Sequence, residues 1–305
     1  MSEYRRARLT PRHRTAACVE VVNRHAYLAV VTTIPPTWTH LELASIKALL
    51  EPAGEIPRAL RLTPYDVPVQ SALAVPIVVT ARLLLDLAVK QGGLALTPAG
   101  FLKRADVRHV FDRTLWPGCD KATTLAMNKV INKQNAYEVF FTRIGLQAAG
   151  LLRRRAGVLK PTKVAQSLLA AEAAPALLGQ ILQAVFWRMN LQNFDRNPLQ
   201  FWPQHHAGLV LWCLSVAAHE WSSAEHLTPI CTIMATIDKL IPHGLPIFAV
   251  LTRVLRPLTW LGLMESRRLK RAAGWGHDEE FRKTALFDQM LSFQVEMIGA
   301  EDARH

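Results

Sequence analysis

Four histidines and two glutamates crowd one stretch of the chain: His205, His206, His219, Glu220, Glu225 and His226. Imidazole nitrogens and carboxylate oxygens are the ligands of a catalytic zinc. The spacing argues against that chemistry. An HExxH helix sets two imidazoles one turn apart with the glutamate as base, but the run HEWSS has Ser223 where the second histidine must stand. His219 and His226 are seven apart, across a break in the helical pattern. No metal is expected, and these histidines read as surface or interdomain side chains.

Other catalytic patterns are missing from the sequence as well. There is no GxSxG nucleophile elbow and no glycine-rich phosphate loop with its lysine. Cys18, Cys119, Cys213 and Cys231 stand singly, with no CxxC pair, and read as reduced intracellular thiols. The carboxylates Asp278, Glu279 and Glu280 follow Gly274 and Gly276 and read as the tip of a hairpin. No catalytic residue and no cofactor are expected, so the chain is not read as an enzyme.

The strongest chemical signal is positive charge. Lysine and arginine number 36 against 24 acidic residues, a formal net charge of +12. Such an excess favours a polyanionic partner. Arg153, Arg154, Arg155, Lys160 and Lys163 form one cluster, and Arg267, Arg268, Lys270 and Arg271 form a second, with Arg282 and Lys283 beyond it. Arg5, Arg6 and Arg8 open an N-terminal arm that continues through Arg12 and Arg14. Guanidinium and ammonium groups on projecting segments are what backbone phosphate contact requires. Base readout needs polar side chains on an exposed helix. One candidate helix presents Glu138, Thr142, Arg143 and Gln147, and another Thr252, Arg253 and Arg256, a set better suited to packing. Trp187, Phe194, Phe201 and Trp202 are able to stack on bases, but their apolar helical spacing points to the core.

Elements must hold these clusters in place. Half the residues are apolar and a fifth charged, a globular balance. Residues 1 to about 24 read as a flexible arm, and AYLAVVTTI (26–34) as a strand. A helix is predicted from Thr39 to Leu50, with Thr39 and Glu42 as a capping box. From residue 77 to 90 the chain is apolar nearly all round, with Arg82, Asp86 and Lys90 four apart in one stripe. Gly92 and Gly93 stop that helix, LALT gives a short strand, and Pro98 opens a helix that sends Leu102, Val107 and Val110 to the core. Tyr137, Phe140, Phe141 and Ile144 mark an amphipathic helix closed by Gly150. The run LLRRRAGVLKPT then reads as a hairpin turning at Ala156-Gly157, its base tied down by Leu151, Leu152 and Leu159. Helix, strand, helix, helix, hairpin, helix is the order of a winged helix.

A second copy follows. LVLWCLSVAAHEWSSAEHLTPICTIM overlays RLLLDLAVKQGGLALTPAGFLKR through its Leu-Thr-Pro, and PIFAVLTRVLRPLTWLGLMESRRL overlays AYEVFFTRIGLQAAGLLRRR through a Thr-Arg pair and a terminal glycine. EFRKTALFDQML supplies the return strand and last helix. Between the copies, Leu178, Ile181, Leu182, Val185 and Met189 share a helical face, and an aromatic, proline-rich loop follows. The fold class is mainly α: two tandem winged-helix-like units with short β-hairpin wings. The divisions are 1–72, a basic arm and packing segment; 73–170, the first unit; 171–206, a connecting helix and loop; and 207–305, the second unit.

GGLALTPAGFLKRADV and AAGLLRRRAGVLKPT together resemble blocks in a group of largely uncharacterised bacterial proteins, of plasmid open-reading-frame and SEC-C-associated types. The resemblance spans about 73–170 and, more faintly, 207–292. It implies paired winged-helix domains and assigns no catalytic residue. This chain departs from the pattern at Phe101, where a small polar residue is usual.

These readings converge on a non-catalytic, cytoplasmic, nucleic-acid-associated protein that binds DNA or RNA mainly through phosphate. The alternatives are a scaffold whose modules dock a protein partner, or a subunit of a nucleic-acid-processing assembly. No membrane partner is expected: Pro76, Arg82 and Asp86 interrupt the most apolar stretch, and the basic N-terminus lacks the apolar region of a secretory signal.

Overall fold

The computed structural model describes residues 35–50, 54–127, 131, 136–237, 241–242, 244–269 and 279–299. The basic arm with Arg5, Arg6 and Arg8, the strand expected at 26–34, and Lys270 and Arg271 lie outside the described residues.

The chain is mainly helical with small antiparallel sheets. After a 3-10 turn at Thr37–His40 come helix α1 (Leu43–Leu50), strand β1 (Leu60–Leu62), helix α2 (Val69–Ala74) and helix α3 (Pro76–Lys90). A first unit continues with strand β2 (Leu94–Ala95), helices α4 (Arg104–Arg113), α5 (Lys121–Met127) and α6 (Tyr137–Ala148), strands β3 (Leu152–Arg155) and β4 (Val158–Pro161), and helix α7 (Lys163–Ser167). Helices α8 (Ala174–Trp187) and α9 (Gln192–Asp195) connect to a second series. That series is helix α10 (Ala207–Ala217), strand β5 (Ser222–Ser223), helices α11 (Ala224–Cys231), α12 (Gly244–Val250) and α13 (Arg256–Trp260), strands β6 (Met264–Arg268) and β7 (Glu279–Lys283), helix α14 (Ala285–Met290), and strand β8 (Leu291–Phe293).

Two three-stranded sheets share one plan. Their strand orders are β2-β4-β3 and β5-β7-β6, so in each a short early strand pairs with the return strand of a hairpin. Residue by residue the closures agree. Gly150 and Gly262, with φ of 73° and 72°, end the helices before the hairpins; glycine adopts this left-handed conformation without a Cβ clash. The amides of Leu151 and Leu263 then donate to the carbonyls of Leu146 and Leu258, and those of Thr162 and Thr284 donate back to Leu151 and Leu263. The expected turn at Ala156-Gly157 is present, both residues having positive φ.

Several boundaries differ from the sequence reading. Helix α1 starts at Leu43, and the Thr39 hydroxyl donates to the Pro36 carbonyl instead of capping. The cause is distant in sequence: Leu41 pairs with Met297, and the Glu42 amide donates to Glu296. Pro98 opens no helix. Thr97 to Phe101 form a tight turn in which the Thr97 amide donates to the Phe101 carbonyl, and α4 begins at Arg104. Leu227-Thr228-Pro229 lies inside α11, whereas Leu96-Thr97-Pro98 precedes α4, so that part of the overlay does not hold.

Helix α6 is the largest departure. Its pattern predicts an amphipathic helix, yet none of its residues is exposed and Glu138, Thr142 and Arg143 are buried. The reason is a second apolar surface. The Phe141 and Trp260 rings meet at 4.9 Å, Tyr137 and Trp260 at 5.5 Å, and Phe141 and Phe194 at 5.2 Å. The last helices before the two hairpins, α6 and α13, therefore face one another through aromatic rings.

One buried ion pair clamps the connecting loop to the second series. Arg253 is fully buried and grips Asp195 with two bonds, Nε to Oδ2 at 2.7 Å and Nη2 to Oδ1 at 3.0 Å. Its remaining N–H groups donate to the carbonyls of Leu199, Asn197 (3.1 Å) and Trp202 (2.6 Å). Arg253 sits in a π-helical segment, Leu251–Leu255. Pro257 has no N–H to offer the Arg253 carbonyl, which accounts for the local widening.

Candidate nucleic-acid interface

The first hairpin separates its charges by face. In register, Arg153 opposes Lys160, Arg154 opposes Leu159, and Arg155 opposes Val158. Side chains alternate along a strand, so Arg153, Arg155 and Lys160 share the outward face, while Arg154 lies on the side of the buried Leu152 and Leu159. All three arginines, Lys160 and Lys163 are exposed. Among the described residues none of the five is in an ion pair. Like charges directly opposite each other on a sheet destabilise it, and Arg153 across from Lys160 is such a pair.

The second hairpin is built the other way. Glu265 opposes Arg282 and Arg267 opposes Glu280, joined by ion pairs of 2.6 and 2.7 Å. Both arginines also stack on Trp221, their guanidinium carbons 4.5 and 4.7 Å from its ring centre. Arg256 pairs with Glu279, and Lys283 with Asp288. Arg268 stays exposed. Glu279 and Glu280 are not a hairpin tip: they lie in β7, within reach of these cations.

The remaining sequence candidates are dispersed. Arg143 is 7% exposed and donates to the Gly100 carbonyl at 3.1 Å, so it lies in the interior instead of on a presented helix face. Burial pulls its pKa down, and the Arg154 charge adds to that effect. Trp187, Phe201 and Trp202 line an apolar groove of about 880 Å³ with Leu49, Met189 and Ile237, and Phe194 belongs to the aromatic cluster.

The histidines do not converge. The His205 and His206 ring centres lie 3.7 Å apart with the planes tilted by 52°, and burial together with His205 lowers the His206 pKa to about 4. His219 and His226 are exposed. Among the described residues no cluster of three or more His, Cys, Asp or Glu side chains has the arrangement of a metal site. Burial pushes the Cys119 thiol up to about 11 and raises Cys213 and Cys231 as well; such thiols are poor nucleophiles at neutral pH. No helix among the described residues is long and apolar enough to cross a membrane.

A family model described as the Y4jL N-terminal domain matches residues 73–174. The match runs from α2 to the first residue of α8, and so takes in the first hairpin. It agrees in extent with the resemblance over 73–170, and speaks neither of a winged helix nor of an SEC-C partner. No curated protein and no solved structure matches the chain.

Proposed function

We propose that this chain is a non-catalytic nucleic-acid-associated protein with two winged-helix-like units, whose first hairpin grips backbone phosphate. The observation that carries the reading is the register of Arg153 against Lys160, with no carboxylate among the described residues paired to either. Three cations on one outward hairpin face, with Lys163 beside them, suit a line of phosphates. Binding is independent of sequence in this reading, because the side chains of α6 that would meet base edges are packed inside.

Anisotropy titration of a labelled duplex, and of an RNA of equal length, over a range of salt tests this. Affinity should fall with a log–log slope of about −0.9 per phosphate neutralised. Joint replacement of Arg153, Arg155 and Lys160 by alanine should weaken binding and flatten the slope by about one unit for each phosphate no longer neutralised. Binding that ignores salt, or that survives the triple replacement unchanged, overturns the proposal.

A protein-docking role has one observation in its favour. Among the described residues the second hairpin presents matched charges around Trp221, with Arg267 paired to Glu280 and Arg282 to Glu265. In that reading the second unit, not the first, meets a protein partner.

A further inference from the structure

Two guanidinium groups approach the Gly100 turn. Arg143, from the interior, donates through Nη1 to the Gly100 carbonyl at 3.1 Å, and its guanidinium carbon lies 5.5 Å from the centre of the Phe140 ring. Arg154 reaches in from the inner face of the hairpin, its Nη1 3.7 Å from the point where a side chain on Gly100 would begin. Among the described residues neither arginine forms an ion pair. The turn from Thr97 to Phe101 fixes the glycine, with the Gly100 amide donating to Thr97 and φ at +78°. Lys103 and Arg104, exposed at the start of α4, are three and four residues further on.

This arrangement is unfavourable as it stands. A buried cation without a counter-charge is costly, and a neighbouring like charge adds to the cost. A second buried arginine among the described residues is treated differently: Arg253 has Asp195. A carbonyl and an aromatic face compensate Arg143 only in part. The missing component is a negative charge small enough to sit between two planar, multi-donor groups. Guanidinium forks match the oxygens of a tetrahedral oxoanion in number and spacing.

We infer that Arg143, Arg154 and the Gly100 turn form a binding site for one phosphate group. Arg143 is its fixed floor, and Arg154 is the donor that closes on it from the hairpin. The phosphate belongs either to a nucleic-acid backbone, in which case the site rests on the function proposed above, or to free inorganic phosphate. Filling the site would pin the inner face of the hairpin against the Gly100 turn while leaving Arg153, Arg155 and Lys160 free on the outer face.

The test is calorimetric titration of the full chain with inorganic phosphate in a phosphate-free, low-salt buffer, alongside the duplex titration. Wild-type protein should bind one phosphate per chain. R154Q, at an exposed position that leaves the fold intact, should weaken that binding at least about tenfold, the scale of losing charge-assisted hydrogen bonds. R143K, which keeps the charge but not the fork, should weaken it as well. Absence of saturable phosphate binding, or binding unaffected by R154Q, overturns the site even where duplex is bound normally. Phosphate bound without any duplex binding keeps the site, assigns it to the free ion, and overturns the nucleic-acid reading.

Discussion

Arg153 lies directly across the first hairpin from Lys160, and the matching position of the second hairpin holds Glu265 across from Arg282. One backbone plan therefore carries opposite electrostatic arrangements. The first hairpin is repulsive by itself and the second is self-matched. The difference can be measured without knowing any ligand.

Replacing Arg153 by glutamate copies the second arrangement into the first. Arg153→Glu should raise stability at low salt by about 0.2–1 kcal/mol, the range of a cross-strand opposite-charge pair, and the gain should shrink as salt is added. The same change should weaken polyanion binding. Urea denaturation and anisotropy on one variant should thus move in opposite directions; a loss of stability would mean that the repulsion is not felt.

The Asp195–Arg253 pair should be among the most sensitive positions in the fold. Asp195→Ala leaves a buried guanidinium without its counter-charge and should cost about 3–5 kcal/mol in urea unfolding. A joint Asp195→Leu, Arg253→Met change should recover much of that loss, because removing both charges removes the desolvation cost too. The single Thr252 hydroxyl proton has two acceptors within reach, Asp195 Oδ2 at 2.9 Å and the Phe248 carbonyl at 2.7 Å, and would keep the second.

Gly208 marks where α10 meets the end of α1 and the segment that follows it. A Cβ there would collide with the Leu49 carbonyl oxygen and would lie 2.6 Å from the Pro57 ring. The first of these is backbone and cannot swing aside. Gly208→Ala should destabilise by about 1–3 kcal/mol, the usual penalty of overpacking, although alanine is the better helix former. A calorimetric melt decides it, and a neutral result would show that the two segments can separate.

Acid should loosen the fold through His206. Its pKa is lowered to about 4 by burial and by His205, below the ordinary histidine value near 6.5. Between these two values the unfolded chain binds the proton and the folded chain does not. The contribution is therefore intact above about pH 6.5 and is lost as pH falls toward 4. Allowing for the partial exposure of the ring, about 1 kcal/mol should disappear between pH 7 and pH 5. His206→Gln should remove that part of the pH dependence, seen as a flatter plot of melting temperature against pH.

Much of the first unit is legible in the sequence. The apolar helix with its Arg82, Asp86 and Lys90 stripe runs from Pro76 to Lys90, and Asp86 and Lys90 pair at 2.6 Å. Gly150, the turn at Ala156-Gly157 and the buried Leu151, Leu152 and Leu159 are where the pattern puts them. These are local features, set by glycine's access to positive φ and by the alternation of side chains along a strand. The α1 boundary is not legible, because Met297 and Glu296 settle it from the far end of the chain. Nor is the role of Arg143. The helix reads as better suited to packing than to base readout, but its amphipathic period does not show that α6 packs on more than one side.

Residue types and their order are enough to specify a helical chain with net positive charge and two basic hairpins of similar plan. They do not specify which cations remain available. Arg153 and Arg267 look alike along the chain, each in a basic run after a glycine-closed helix. One meets a lysine across its hairpin, while the other meets a glutamate and lies over a tryptophan. Coulomb energy depends on distance and surroundings, and cross-strand register and tertiary packing fix both. Folding joins Arg267 and Arg282 to carboxylates, and among the described residues it leaves Arg153, Arg155 and Lys160 outside any ion pair.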